Sequence, residues 1–373
     1  MSIPFIDLKA QAAALGARID AAIGRVRAHG QFIGGPEVAD FERRLAAFCG
    51  ARHAISCANG TDALSLVLRA EGVGPGDAVF APSFTFVATA EVVPIVGATP
   101  IFVDVRDDTF NMDPASLEAA IAQAQRLGLT PRAVIAVDLF GLAADYAALG
   151  AIAKRRGMTL IADSAQGFGA SFHGRRSGAL ADWTTTSFFP AKPLGCYGDG
   201  GAVFTDDDAR AALVRSLAAH GADADRRAYA RIGVNSRLDT IQAAILIEKL
   251  AIFEDEIAAR NRIAARYAQA LAGLAQTPAA PEGLVCVWAQ YTIQIDDRDA
   301  VAARMKEQGV PTAIHYATPL HRQPGYRHFP RAPGGLPVSE RLSRRVLSLP
   351  MHAYLDETTQ DRIVAALRDA MGA

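Results

Sequence analysis

Lys192 and Asp163 are the residues of this chain best placed for covalent chemistry. Lys192 stands in the run Ser187-Phe188-Phe189-Pro190-Ala191-Lys192-Pro193-Leu194-Gly195-Cys196-Tyr197-Gly198-Asp199-Gly200-Gly201, and Asp163 closes the apolar run Leu160-Ile161-Ala162-Asp163. A lysine amine can form a Schiff base with an aldehyde, and a carboxylate can keep a pyridine nitrogen protonated. A strand-end aspartate followed by a lysine in a loop of small residues therefore points to pyridoxal phosphate chemistry. Pro190 and Pro193 restrict the loop, and desolvation lowers the pKa of such an amine.

Such a site also needs a phosphate cradle and packing on the ring. Asn59-Gly60-Thr61-Asp62 reads as a capped helix start. Backbone N–H groups there point at an anion and the helix dipole favours it. Gly60 permits close approach, Thr61 sits beside it, and the Ser187 hydroxyl can donate to the same phosphate. Gln166, three residues after Asp163, can donate to a phenolate oxygen or pack on the ring. Phe86, in Pro82-Ser83-Phe84-Thr85-Phe86-Val87-Ala88-Thr89-Ala90, can stack on it, although core packing suits Phe84 at least as well.

The elements that must hold these residues follow from hydrophobic patterning. Val38, Phe41, Leu45 and Phe48 share a helical face behind Pro36. A helix is expected from Ala63 to Ala70. Apolar runs at 78–81, 101–105, 133–137, 159–162, 184–188 and 202–204 read as strands, with helices at 114–124 and 149–156 between them. Strands without polar alternation, spaced by helices, predict a mostly parallel sheet buried on both faces. Beyond Arg237 the spacing predicts one long helix from about 238 to 271. Strands then follow at 284–288, 291–295 and 312–316, and helices at 300–308, 339–347 and 358–371. The fold class is α/β, with a large domain over 1–240 and a smaller C-terminal α/β domain over 241–373.

Composition excludes several functions. The chain has 373 residues, 50% hydrophobic and 21% charged, with a net charge of −1. That balance offers no field for nucleic acid or an anionic membrane. No run is long and apolar enough for a membrane span, and the start, Met1-Ser2-Ile3-Pro4-Phe5-Ile6-Asp7, lacks the pattern of a secretion signal. Cys49, Cys57, Cys196 and Cys286 form no CxxC pair, which suits a reduced cytoplasmic protein without structural zinc. The histidines show no metal-ligand spacing, so no metal is assigned. A nicotinamide site would need G-x-G-x-x-G after a strand; Gly167-Phe168-Gly169 follows one, but Phe172 takes the third glycine's place. A P-loop is absent.

Taken in order, Asn59 to Leu64, Pro82 to Ala90, Asp163 to Gln166, Ser187 to Gly201 and Gly233-Val234-Asn235-Ser236-Arg237-Leu238-Asp239 resemble the DegT/DnrJ/EryC1/StrS family of nucleotide-sugar aminotransferases, over essentially the whole chain. The resemblance implies pyridoxal phosphate as cofactor and fold type I, the architecture of aspartate aminotransferase, in a homodimer with shared sites. It puts the cofactor's covalent link on Lys192, the ring-nitrogen partner at Asp163 and a ring contact at Gln166. Phosphate contacts fall to Gly60, Thr61 and Ser187, and stacking to Phe86. Asn235 then reaches the phosphate from the neighbouring subunit. Members that dehydrate sugars carry His where this chain has Lys192, so transamination is expected, with L-glutamate as donor and 2-oxoglutarate as product.

The resemblance also bears on substrate. The loop pattern aromatic-Pro-x-Lys-x-Leu-Gly is similar to members aminating C3 of a nucleotide sugar, whereas members aminating C4 more often carry a His and a Glu in this loop. Val137-Asp138-Leu139-Phe140-Gly141 and Cys196-Tyr197-Gly198-Asp199 resemble members acting on UDP-2-acetamido-2-deoxy-3-oxo-glucuronic acid, which feed O-antigen and surface polysaccharide. Arg237 is the candidate for the sugar carboxylate. His315 and Tyr316 are the candidates to bind phosphate, diphosphate or sugar. A 3- or 4-keto-6-deoxy sugar nucleotide is the alternative substrate, and a non-catalytic regulator holding cofactor and sugar nucleotide is the alternative of another class.

Overall fold

The computed structural model describes residues 3–372 apart from 224 and 226. Two helices lead the chain, α1 (Leu8–His29) and α2 (Pro36–Cys49), with Asp7 capping the first and Pro36 opening the second. Strands and helices then alternate: β1 (His53–Cys57), α3 (Gly60–Ala70), β2 (Asp77–Pro82), α4 (Ala88–Ile95), β3 (Thr99–Val103), α5 (Pro114–Arg126), β4 (Thr130–Val137), α6 (Tyr146–Arg156) and β5 (Thr159–Asp163). Two short strands, β6 (Ser171–Phe172) and β7 (Arg175–Arg176), precede β8 (Trp183–Ser187), β9 (Gly201–Thr205) and α7 (Asp208–Ala218).

The main sheet has seven strands in the order β1-β9-β8-β5-β4-β2-β3. The pairs from β8 through β5, β4 and β2 to β3 are parallel, and β9 runs antiparallel to both of its neighbours. Successive side chains alternate between two apolar layers, as the pleat requires. Val134 and Ala136 face Leu117, Ile121 and Leu149 of α5 and α6. Ala133 and Ile135 face Leu64, Val67 and Val214 of α3 and α7. Both faces are covered, so the strands read as continuous apolar runs. The parallel strands β2, β4, β5 and β8 end together, and ligands in open α/β sheets bind in the crevice beyond those ends.

Downstream lie α8 (Thr240–Leu250), α9 (Phe253–Ala270), β10 (Leu284–Val285), β11 (Tyr291–Gln294), α10 (Arg298–Glu307), α11 (Pro337–Arg345), β12 (Val346–Leu349) and α12 (Glu357–Met371). β11 and β12 pair antiparallel, and Tyr267, Ile293, Leu347, Ile363 and Leu367 form a core of their own. No described helix is long and apolar enough to cross a membrane.

The C-terminal third departs from its sequence pattern in four places. The helix expected over 238–271 is two helices, broken at Ile252, where φ is −113° and ψ 2°. Glu254, Asp255 and Glu256 then give α9 an acidic first turn, which its dipole favours. The strand expected at 284–288 pairs only through Leu284 and Val285. The strand expected at 312–316 shrinks to one bridge between Ala313 and Ser348, and the chain then turns His315 and Tyr316 away. The helix expected to reach 347 stops at Arg345, because Val346 begins β12.

The packing of β4 is testable. Ile135 is fully buried, so Ile135→Ala should lower the unfolding free energy by about 2–5 kcal/mol. Urea denaturation reads this, and an unchanged midpoint would contradict the packing described.

Candidate active site

A cavity of about 700 Å³ opens at the strand ends, within the range of roughly 300–1,000 Å³ typical of ligand sites. Gly60, Thr61, Phe86, Asp163, Gln166, Ser187, Lys192, His315 and Tyr316 all line it. These nine come from five separated stretches of sequence, so the topology brings them together.

The cradle forms because Asn59 caps α3. Its side chain accepts from Asp62 N–H at 2.8 Å and its carbonyl accepts from Ala63 N–H at 3.1 Å. That leaves the Gly60 and Thr61 amides at the open helix end. A side chain at Gly60 would bring a Cβ within 2.7 Å of Ser187 Cβ. Only a glycine lets the helix start lie against the end of β8, so the Ser187 hydroxyl joins the cradle.

Asp163 is held from two sides. Thr89 Oγ1 donates to its Oδ2 at 2.8 Å, and the Ala165 N–H donates to Oδ1 at 3.2 Å. Burial pushes its carboxyl above the usual range, while Thr89, Ala165 and the positive field of Lys192 pull it back. Burial pushes the Lys192 amine below its ordinary value, and Asp163 opposes that shift. The two groups thus temper each other's desolvation in one cavity.

Gln166 is fixed at both ends. Its Oε1 accepts from Phe140 N–H at 2.8 Å, and its Nε2 donates to Tyr316 Oη at 2.9 Å. Phe140 takes a left-handed φ of 58° as it makes that contact. Tyr316 is therefore tied to the cavity floor through Gln166. His315 shares its Nδ1 with Ser348 Oγ at 2.9 Å, and burial, with the Lys192 charge, pushes it down to about 4. Its ring is neutral at physiological pH. Phe86 is 53% exposed and presents an apolar ring at the wall, while Phe84 is buried in the core.

Asn235 and Arg237 do not line this cavity in the single chain. Residues 235, 237 and 239 are exposed and 236, 238 and 240 are buried, so Asn235 and Arg237 share an outward face. Ser236 anchors their segment to the cradle helix: its Oγ donates to Asp62 Oδ2 at 2.6 Å and accepts from Ala58 N–H at 3.1 Å.

Thr89, Thr85, Asp199 and Gln290 were not legible as site residues. Thr89 sits three residues past Phe86 on the same helix start, a spacing that would have placed it over the sheet end. Asp199 lies in the lysine loop, but Gln290 carries no local signal.

The donor set fits pyridoxal phosphate. Free amides at a helix start suit its phosphate, a carboxylate already held by two donors suits its ring nitrogen, and a desolvated amine suits its aldehyde. Fold and cavity define a fold-type-I enzyme dependent on that cofactor.

The chain belongs to the DegT/DnrJ/EryC1/StrS aminotransferase family, whose sequence model matches residues 14–368. It is 52% identical to the UDP-2-acetamido-2-deoxy-3-oxo-D-glucuronate aminotransferase of Pseudomonas aeruginosa, over 98% of this chain and 99% of that one. A crystal structure of a DegT DnrJ EryC1 StrS aminotransferase from Brucella abortus superposes with a TM-score of 0.98 at 53% identity, covering all of both chains. The Bacillus subtilis protein ntda, crystallised with the cofactor PMP, superposes at 0.91 with 29% identity, covering 100% of this chain and 86% of that one. The protein is a pyridoxal-phosphate-dependent sugar-nucleotide aminotransferase.

Thr89→Val should raise the Asp163 carboxyl, because it removes a donor to the charged form. A hydrogen bond to the charged form favours ionisation, so losing it moves the midpoint upward. NMR titration of the labelled carboxyl carbon reads the shift, and an unmoved midpoint would contradict the role of Thr89.

Proposed function

We propose that this enzyme moves an amino group from L-glutamate to C3 of UDP-2-acetamido-2-deoxy-3-oxo-glucuronic acid, for O-antigen or surface polysaccharide. The observation that carries the reading is the assembly of Lys192, Asp163 and the Gly60-Thr61 cradle in one cavity. The named P. aeruginosa relative supports the sugar, at 52% identity.

When bound, pyridoxal phosphate supplies an electrophilic carbon and an electron-withdrawing ring that stabilises negative charge beside the transferred nitrogen. The chain's own residues do the rest. Asp163 holds a proton at the ring nitrogen. The Gly60 and Thr61 amides and the Ser187 hydroxyl bind the phosphate, Phe86 packs on one ring face, and Gln166 orients the ring edge. Lys192 would hold the cofactor covalently, and its amine, once freed, would take the proton from the α-carbon of glutamate; water would supply the carbonyl oxygen of 2-oxoglutarate while the amino group stays with the cofactor. In the second half it delivers a proton to the sugar carbon. One positioned base serves both halves, and its lowered pKa suits a general base near neutral pH.

The working unit in this reading is a homodimer. Phe32, Ile33, Phe189, Tyr229 and Ile232 are all exposed, Tyr229 at 76% and Ile232 at 87%. We take these exposed apolar groups as those a second subunit would cover. Asn235 reaches the phosphate of the neighbouring site across that interface, and Arg237 pairs with the uronate carboxylate of that site's substrate. His315 and Tyr316 border the sugar nucleotide within the chain. Residues 1–240 form the cofactor-binding unit and 241–373 the smaller unit, with α8 and α9 joining them. Four buried free cysteines support a reducing cytoplasm as the location.

Lys192→Ala should abolish turnover and the visible absorbance of bound cofactor; retained activity would remove Lys192 from its role. Arg237→Ala should weaken the uronate substrate roughly ten- to hundredfold, from about 1.5–3 kcal/mol for a hydrogen bond to a charged group. A neutral 3-keto sugar nucleotide should lose far less. Steady-state kinetics on both substrates decides, and equal losses would count against the carboxylate role.

A further inference from the structure

Lys249 is 1% exposed, an unusual fate for a lysine. It lies on α8, seven residues after Gln242, so both project from one stripe of the helix. Both reach the loop that carries Lys192. Gln242 Oε1 accepts from Tyr197 N–H at 2.8 Å, and Lys249 Nζ donates to the Gly195 carbonyl at 2.7 Å. The Tyr197 ring covers the ammonium, with its centre 4.4 Å from Nζ, an arrangement its quadrupole favours.

We propose that Lys249 is a positioning residue for the reaction, fixing through Gly195 the loop on which Lys192 sits. The inference rests on the reading of Lys192 given above.

The loop's own geometry gives this contact its reach. A Cβ on Gly195 would lie 2.5 Å from the Pro190 carbonyl oxygen and 2.7 Å from that of Phe189. Gly195 therefore lies directly against the strand of chain that enters Lys192. Lys192 N–H donates to the Phe189 carbonyl at 2.8 Å, and Cys196 N–H donates to that of Phe188 at 2.8 Å. The loop doubles back tightly, and a displacement of Gly195 would displace Lys192 with it. The site in turn depends on small displacements, since a shift of about 1 Å can cost about 100-fold in rate.

Burial explains why a charge at this place is informative. Taking an ammonium out of water costs several kcal/mol, and an apolar side chain of similar volume often packs as well or better. Leu246, Leu194 and Phe188 close by would accept one. What an apolar residue could not do is hold the Gly195 carbonyl. Burial pushes Lys249 down to about 8, with Glu256 opposing; the amine donates to a carbonyl in either form.

The test compares holoenzyme carrying Lys249→Met, holoenzyme carrying Tyr197→Leu, and the wild type. Borohydride reduction and peptide mass spectrometry locate the cofactor's covalent link. Spectrophotometric pH titration gives the midpoint of its visible band, and kinetics give kcat and KM for L-glutamate. We expect the link on Lys192 in all three. Lys249→Met should lower kcat by about 100-fold with KM little changed, and should move the band midpoint, which loss of stability alone would not do. Tyr197→Leu should shift both in the same direction by less. Unmoved midpoint and kcat in a folded Lys249→Met overturn the clamp. Should that variant not fold, unmoved values in Tyr197→Leu overturn it instead. A wild-type link on a residue other than Lys192 overturns the functional reading and the clamp with it.

Discussion

An acid and an amine buried in one cavity are the constraint on which this structure turns. Burial pushes the Asp163 carboxyl up and the Lys192 amine down, and either alone would drift toward its neutral form. Each keeps the other poised. The arrangement holds only because β5 delivers Asp163 to its end while the tight loop after β8 returns Lys192 to the same crevice. Parallel order in the sheet's centre is what makes those ends coincide.

Around that pair the chain builds supports from distant segments. Thr89, at the start of α4, supplies a donor to Asp163. Gln166 joins the turn after β4 to Tyr316 in the C-terminal third. Ser236 fastens the segment of Asn235 and Arg237 to the cradle helix. Single side chains thus tie the cavity to the C-terminal third and to the segment of Asn235 and Arg237. A chain of such contacts limits how far Tyr316 and the 235–237 segment can move without disturbing Gln166 and the start of α3.

Much of this was legible in the residues, for identifiable reasons. The central strands are apolar on both faces, so their runs stood out against the helices between them, and the capped start at Asn59 is a local signal. Elsewhere local pattern misled. Leu342 and Val346 keep helical spacing across the point where α11 becomes β12, and periodicity cannot register a change in partner. The break at Ile252 was hidden because Leu250, Phe253 and Ile257 continue an apolar stripe through it. His315 and Tyr316 looked like strand residues because Thr312, Ile314 and Tyr316 are all strand formers. Gln290 carries no sequence signature, since its place is set by tertiary contact, and Thr89 had only its spacing from Phe86 to mark it. Family likeness suggested a role for Asn235, and the pairing of a guanidinium with a carboxylate suggested one for Arg237; both residues lie outside the single chain's cavity.

The most direct test of the central claim is a titration of the purified holoenzyme with L-glutamate, without sugar nucleotide. If Lys192, Asp163 and the cradle act as described, the visible band of the bound cofactor should disappear and 2-oxoglutarate should appear in equal amount to the chain. A protein that binds glutamate yet keeps its band and releases no 2-oxoglutarate would contradict the account.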